Sequence, residues 1–267
     1  MTSKPTVEQP ADSLETRLLR LTHCDRIEEV WTAHLEAMAL YGFDRLLYGF
    51  TRFWSGYSFG DPDDFLVLTN LDPAYTERFI GEGMYREAPM ARWALHNEGA
   101  CSWSVLQQMS DAGVLSDTER KIIEFNRTHG LTAGYSISFR SVSRRSKGAI
   151  ALMARDGMSQ AEVDAVWEAH GDEIQLFNNI LHLKVLTLPY TPPNQMLTPR
   201  QREALEWVGD GKTTADIATI MGLTSATVEK HLRLARAALN VETTAQAVLK
   251  AAFQNQMFVV DLDAHQT

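Results

Sequence analysis

Apolar residues recur every three or four positions through Leu14–Leu21 and again from Asp25 to Leu40, where Ile27, Val30, Trp31, His34, Leu35 and Met38 share one stripe. That spacing predicts two amphipathic helices. Short apolar runs follow at Leu46–Phe50, Phe65–Leu68, Tyr135–Phe139 and Ala149–Met153, each of strand length. Helical patterns lie between them at 74–83, 89–96 and 117–128, and a long one runs from Ser159 to about Val185. The run at 135–139 alternates, whereas 149–153 is nearly all apolar, which requires at least one strand covered on both faces. The predicted N-terminal fold is therefore an α/β/α sandwich, with room for a small apolar cavity between sheet and helices.

The stretch Pro189-Tyr190-Thr191-Pro192-Pro193 ends the long helix and predicts an extended, semi-rigid connector over 189–196. The expected organisation is a domain at 1–188, this linker, and a second domain at 197–267. In the second domain Thr198, Pro199 and Gln201 form a helix-starting capping box, and Leu205 and Val208 point to a core with Ala204 nearby. A short helix follows over 213–221 with an apolar face of Ile217, Ile220 and Met221, and Gly222 stops it. A tight turn leads into a longer helix, 225–240, buried along Val228, Leu232, Ala235 and Leu239. Short helix, glycine turn, longer helix is the helix-turn-helix layout, so the overall class is α+β with an all-α C-terminal domain.

The open face of that longer helix carries Ser225, Ala226 and Thr227 at its tip and Lys230, Arg233 and Arg236 further along, interrupted by Glu229. Small polar residues at the tip suit base edges in a major groove, and the cations suit phosphates, so the expected partner is double-stranded DNA. A net charge of −9, from 34 acidic against 25 basic residues, argues against a polyanionic partner for the surface as a whole. It does not argue against one basic helix face. His231, beside the buried stripe, reads as structural.

Met1–Ser13 is polar with no apolar core, so no signal peptide is expected, and no run approaches membrane-spanning length. Cys24 and Cys101 are too few for a disulfide framework and point to a reducing compartment, the cytoplasm. His23, His34 and His96 lack partners at metal spacing, and neither a phosphate loop nor a nucleophile motif occurs. No metal, cofactor or catalytic residue is expected.

The stretches Leu197–Leu205, Gly211-Lys212-Thr213, Ile217-Ala218, Thr227–Leu232 and Ala245–Val248 resemble the DNA-binding domain of LuxR-type regulators. Gln201 stands where that family usually has glutamate and Thr244 where arginine is common, which puts one phosphate contact in doubt. The N-terminal order of elements, with Leu47-Tyr48-Gly49, Asn70, Tyr75, Phe79, Pro89, Trp103, Gly134 and Gly148-Ala149, is similar to the autoinducer-binding domain of quorum-sensing LuxR regulators.

In that family an acyl-homoserine lactone lies between sheet and helices, its head held by a tryptophan, a tyrosine, an aspartate and often a hydroxyl residue. The resemblance places Tyr75, Phe79, Ala88 and Ala151 at those four positions, keeps Trp103 as an aromatic wall, and adds Tyr48 to the ligand-binding set. A buried amide left without its acceptor costs about 1–3 kcal/mol. Glu87 is about 100° around a helix from Ala88 and is a poor substitute. The resemblance thus implies a homodimer whose pocket takes a hydrophobic signal other than the standard lactone, or none; Tyr75, Phe79 and Trp103 read equally well as core aromatics. A lactone-responsive regulator and a protein that heterodimerises with and inhibits a related regulator stay open as alternatives.

Overall fold

The computed structural model describes residues 12–54, 64–141, 143–190 and 195–258. The chain forms two compact units, Met1–Leu186 and Thr187–Thr267.

The first unit opens with α1 (Leu14–His23) and α2 (Ile27–Ala39), which bury the expected stripe through Ile27, Val30, Trp31, His34 and Met38. Then come β1 (Phe43–Thr51) and β2 (Leu66–Thr69). The helix expected over 74–83 is broken: α3 (Pro73–Thr76) widens into a π-helical turn at Glu77–Gly81 and is followed by a 3-10 turn at Met84–Glu87. Gly83, in the left-handed region at φ 79°, lets the chain change direction between the two turns. Next are α4 (Pro89–His96), β3 (Gly99–Ser102), α5 (Ser104–Asp111), α6 (Asp117–Thr128), β4 (Gly134–Ser138), β5 (Lys147–Ala154) and α7 (Gln160–Thr187). β3 and α5 have no counterpart among the elements expected from sequence. β3 is a short, exposed edge strand, and α5 buries no side chain fully, so neither carries a strong apolar period.

The five strands form one antiparallel sheet in the order β2-β1-β5-β4-β3. Helix α7 lies over one face: Tyr48 Oη meets His182 Nδ1 at 2.8 Å, and the rings of Tyr135 and Trp167 stack at 4.0 Å. α2 joins α7 there, with His34 Nε2 3.2 Å from Asn178 Oδ1. α4 approaches the opposite face, where Ser138 Oγ donates to the Ala94 carbonyl at 2.7 Å. β4 was expected to alternate buried and open positions; all five of its residues are buried, because both of its faces are covered.

Side-chain size differs sharply between the faces. Toward α7 the strands present Leu46, Tyr48, Phe50, Ile137, Ile150 and Leu152, all buried. Toward the other face, the cross-strand pairs are Gly49 with Ala149, Leu47 with Ala151, Ser136 with Ala151 and Ser138 with Ala149. The helices on that side therefore cannot close down on bulky strand residues, and a void remains. Gly148 serves the α7 face: a Cβ there would lie 2.7 Å from the His182 ring, which stacks on Phe139 at 4.2 Å.

The second unit contains α8 (Pro199–Gly209), α9 (Thr214–Met221), α10 (Ser225–Ala238) and α11 (Thr244–Phe253). Capping boxes start α8 at Thr198 and Gln201, α9 at Thr213 and Asp216, and α11 at Thr243 and Gln246. Gly222 stops α9 at φ 65°. The core joins Leu205, Ile217, Val228, Leu232, Ala235, Leu239, Ala247 and Ala251. Ile220, expected in that core, is 46% exposed; Ala218 occupies the inner position instead, since the short α9 presents only one narrow stripe. Of the expected connector, 191–194 lie outside the described residues, as do 1–11 of the polar N-terminus. The connector's two ends are tied to the end of α11, through Tyr190 N to the Gln254 carbonyl and Gln254 Nε2 to Gln195 Oε1.

Burial holds two imidazoles neutral. Desolvation drives His34 down to about 3, and desolvation assisted by the Arg52 charge drives His182 down to about 4. The unfolded chain takes up protons near pH 6.5 and the folded chain resists until about pH 4, so stability is full above 6.5 and falls as pH drops through that window. The expected slope is up to about 1.4 kcal/mol per pH unit for each histidine. Melting followed by tryptophan fluorescence between pH 7.5 and 4.5 checks this, and His182→Gln is expected to flatten the dependence.

Candidate ligand cavity and nucleic-acid face

The void on the small-residue face of the sheet is a cavity of about 990 Å³. Leu47, Ala151 and Met153 of the sheet line it, with Phe79 and Ile80 of the π-helical turn, and Trp103 closes one wall. Five of the six residues proposed from sequence border it with their side chains: Tyr75, Phe79, Ala88, Trp103 and Ala151. Tyr48, the sixth, is placed differently. It borders the cavity from β1, but its phenol projects to the opposite face, hydrogen-bonds His182 and packs on Phe139 at 6.0 Å. The two-residue period of a strand forces this, because Leu47 and Gly49 take the cavity side.

Tyr75 is held on both faces. Its ring stacks on Phe79 at 5.3 Å and on Phe125 at 5.2 Å, and its hydroxyl donates to Asn126 Oδ1 at 2.9 Å. Burial raises its pKa further above the ordinary phenol value. The three parallel rings form a rigid slab at one end of the cavity, and the Tyr75 proton is already committed. Ala88 is 5% exposed and stands at the N-cap of α4 without a side-chain hydrogen bond. Glu87 beside it is exposed and supplies no acceptor in its place. The indole of Trp103 donates to Ser136 Oγ at 3.0 Å.

Phe125, Asn126 and Ser136 are members of this site that sequence reasoning did not single out. Phe125 and Asn126 sit in an amphipathic helix whose apolar stripe reads as ordinary core. Ser136 had one usable signal, its place in a strand two residues from Gly134 and Ser138. At the edges of the cavity, Glu124 pairs with Arg127, and Asp164 Oδ1 accepts from Ser102 and Gln160.

In the second unit, α10 presents Ser225, Ala226, Lys230 and Arg233 on its exposed face, with Glu229 among them. The side chains of Thr227 and Arg236 lie on opposite flanks, and both have local partners. Thr227 Oγ1 pairs with the cap residue Thr224 at 2.9 Å, and Arg236 Nη1 donates to Thr244 Oγ1 at 2.8 Å. Thr244, at the first position of α11, thus holds the arginine against that helix. The turn before α10 is fixed by the Leu223 amide, which donates to the Ala218 carbonyl at 2.8 Å. Among the described residues no group of three or more His, Cys, Asp or Glu side chains could hold a metal ion, and no helix is long and apolar enough to cross a membrane.

A sandwich with a cavity under its sheet in one unit, and a capped helix-turn-helix in the other, is the layout of a two-unit DNA-binding regulator. Residues 26–185 match the autoinducer binding domain, and the chain belongs to that family; it is a LuxR-type transcriptional regulator. Residues 195–239 match sigma-70 region 4, itself a helix-turn-helix unit. The chain is similar to the transcriptional activator protein AnoR of Acinetobacter nosocomialis, 28% identical over 79% of this chain and 84% of that one. It is 22% identical to the transcriptional activator protein LuxR of Aliivibrio fischeri over 70% of this chain and 73% of the relative. Among solved structures, Escherichia coli SdiA aligns over 92% of this chain and 98% of its own, at 19% identity and a TM-score of 0.48.

Tyr75→Phe removes the hydroxyl that Asn126 accepts while keeping the ring stack. It is expected to lower stability by about 1 kcal/mol, read as a drop in the melting transition of the first unit. A substitution without effect would mean that Asn126 finds water instead.

Proposed function

We propose that this regulator works as a dimer and responds to a hydrophobic small molecule other than a standard acyl-homoserine lactone, or holds its active form without ligand. The observation that carries this reading is the polar inventory around the cavity. Ala88 offers no carboxylate, Ala151 offers no hydroxyl, and the Tyr75 proton is spent on Asn126. A lactone amide N–H buried near Ala88 would lose its acceptor, at about 1–3 kcal/mol, or roughly one to two decades of affinity.

Pairing of the first units is supported by Leu176 and Leu183, seven residues apart on α7 and 41% and 62% exposed. Dimerisation sets two α10 helices to enter successive major grooves about 34 Å apart. The domain reading is a sensor at 1–188, a linker at 189–196 and a DNA-binding domain at 197–267, acting in the cytoplasm. Ser225, Ala226 and Thr227 approach base edges, while Lys230, Arg233 and Arg236 neutralise phosphates.

Three measurements test the reading. Protein purified without added signal, extracted into organic solvent for mass spectrometry and melted with and without acyl-homoserine lactones, is expected to show no lactone-dependent shift; a clear upward shift would overturn the ligand assignment. Ala88→Asp restores a carboxylate at a helix N-cap, where aspartate is well tolerated, and is expected to raise lactone affinity by roughly tenfold or more. Lys230→Ala is expected to weaken operator binding and to lower the slope of log affinity against log salt by about 0.9. An unchanged slope would remove that lysine from the phosphate contacts.

A further inference from the structure

Three polar side chains on the cavity side of the sheet and its helices have their donors placed. Tyr75 donates to Asn126, Ser138 donates to the Ala94 carbonyl, and Trp103 Nε1 donates to Ser136 Oγ. Ser136 itself is 4% exposed and borders the cavity. The indole occupies a lone pair of its oxygen, which leaves the hydroxyl hydrogen. Among the described residues that hydrogen has no acceptor. A buried donor left unpaired costs about 1–3 kcal/mol, and accepting a bond from the indole makes the hydroxyl a stronger donor.

The position of this donor follows from the register. Ser136 on β4 stands directly across from Ala151 on β5, which in turn stands across from Leu47 on β1. Directly paired residues on one face have Cβ atoms about 5 Å apart, so a methyl at Ala151 leaves open space beside the serine. The hydroxyl that the family resemblance locates at Ala151 is thus absent there, and a donor is presented one strand over, held by Trp103. At Ala88, where the family resemblance locates an acceptor for a ligand N–H, the side chain is a methyl. The carboxylates of the lining, Glu124 and Asp164, lie at the cavity edges, where Glu124 stands 3.6 Å from Arg127 and Asp164 Oδ1 accepts from Ser102 and Gln160.

We propose that Ser136 is the polar anchor of the cavity and that its ligand is a medium-chain ketone or ester, an apolar chain with a carbonyl oxygen to accept from Ser136 and no amide N–H. The assignment rests on the reading of the cavity as a signal site given above. Ser136 then accepts from Trp103 and donates to the ligand carbonyl, which satisfies the buried hydroxyl on both sides. The rest of the ligand is selected by apolar contact with residues such as Phe79, Leu106 and Met153.

The test uses the full chain and three probes: 2-undecanone, its isostere 2-methyl-1-undecene, in which CH2 replaces the carbonyl oxygen, and N-decanoyl-homoserine lactone. Binding is read by tryptophan fluorescence titration and by thermal shift. The wild-type protein is expected to bind the ketone about 5- to 10-fold more tightly than the alkene, the worth of one hydrogen bond. Ser136→Ala is expected to abolish that preference and Ser136→Thr to retain it. Equal binding of ketone and alkene by the wild-type protein, or a preference that survives Ser136→Ala, overturns the anchor while leaving the cavity as a binding site. Lactone binding tighter than the ketone overturns the ligand class. Failure of all three probes to bind overturns the signal-site reading and the anchor together. The wild-type comparison decides the question even if the alanine variant does not fold.

Discussion

The register of the central strands is the constraint on which the sensor unit depends. Because β1, β5 and β4 pair as they do, Gly49, Ala149, Ala151, Ser136 and Ser138 fall on one face, and Tyr48, Phe50, Ile137, Ile150 and Leu152 fall on the other. A slip of one residue would send Tyr48, Ile150 and Ile137 into the cavity and bring Gly49, Ala149 and Ser136 against α7. Buried apolar area on the α7 face holds the register, and that same register keeps the cavity open. Gly148 adds a local lock, since only a residue without a Cβ lets the His182 ring close over β5 and stack on Phe139. The solid core and the void are two consequences of one pairing pattern.

Much of this was legible in the sequence. The amphipathic stripe of α2, the length of α7, the capping box at Thr198 and the glycine stop at Gly222 are local signals, and local physics decides them. What was not legible depends on partners distant in the chain. Tyr48 reads as a ligand aromatic until the pleat sends it to His182, 134 residues away. Ile220 reads as core until the short α9 turns it outward. Tyr75 looks like an available donor until Asn126, 51 residues on, takes its proton. Ser136 looks like an ordinary strand serine until its register partner turns out to be Ala151. In each case the residue type could be read and its neighbour could not.

The two units treat charge in opposite ways. The cavity has no carboxylate at Ala88 and no hydroxyl at Ala151, and on the reading proposed above selection inside it falls to shape and to the Ser136 hydroxyl. On α10 the exposed cations stand on a chain whose net charge is −9. The acidic excess of the chain as a whole opposes non-specific approach of a polyanion, so the cations of α10 act against that background. Thr244 contributes on a smaller scale, because its hydroxyl accepts from Arg236 Nη1 and fixes that guanidinium on the flank of the face, beside the exposed Lys230 and Arg233.

The sandwich is unevenly supported, and this links the cavity to function. On one face α7 buries eight side chains along its length, among them Ile174, Phe177 and Leu181. On the other, α4 buries only Ala94 and α5 buries no side chain fully. Helices with so few inward contacts draw little stability from their own packing, in contrast to α6, which has a capping box and buries Ile122 and Phe125 on the same side. A molecule that fills the cavity supplies the missing contacts between α4, α5 and the sheet. Its binding energy then appears as folding energy, about 2.7 kcal/mol at a hundredfold excess over Kd. The α7 face gains little from this, since it is already closed. On the proposed reading, a ligand acts first on α4 and α5, while the sheet and α7 form the frame against which those helices are ordered.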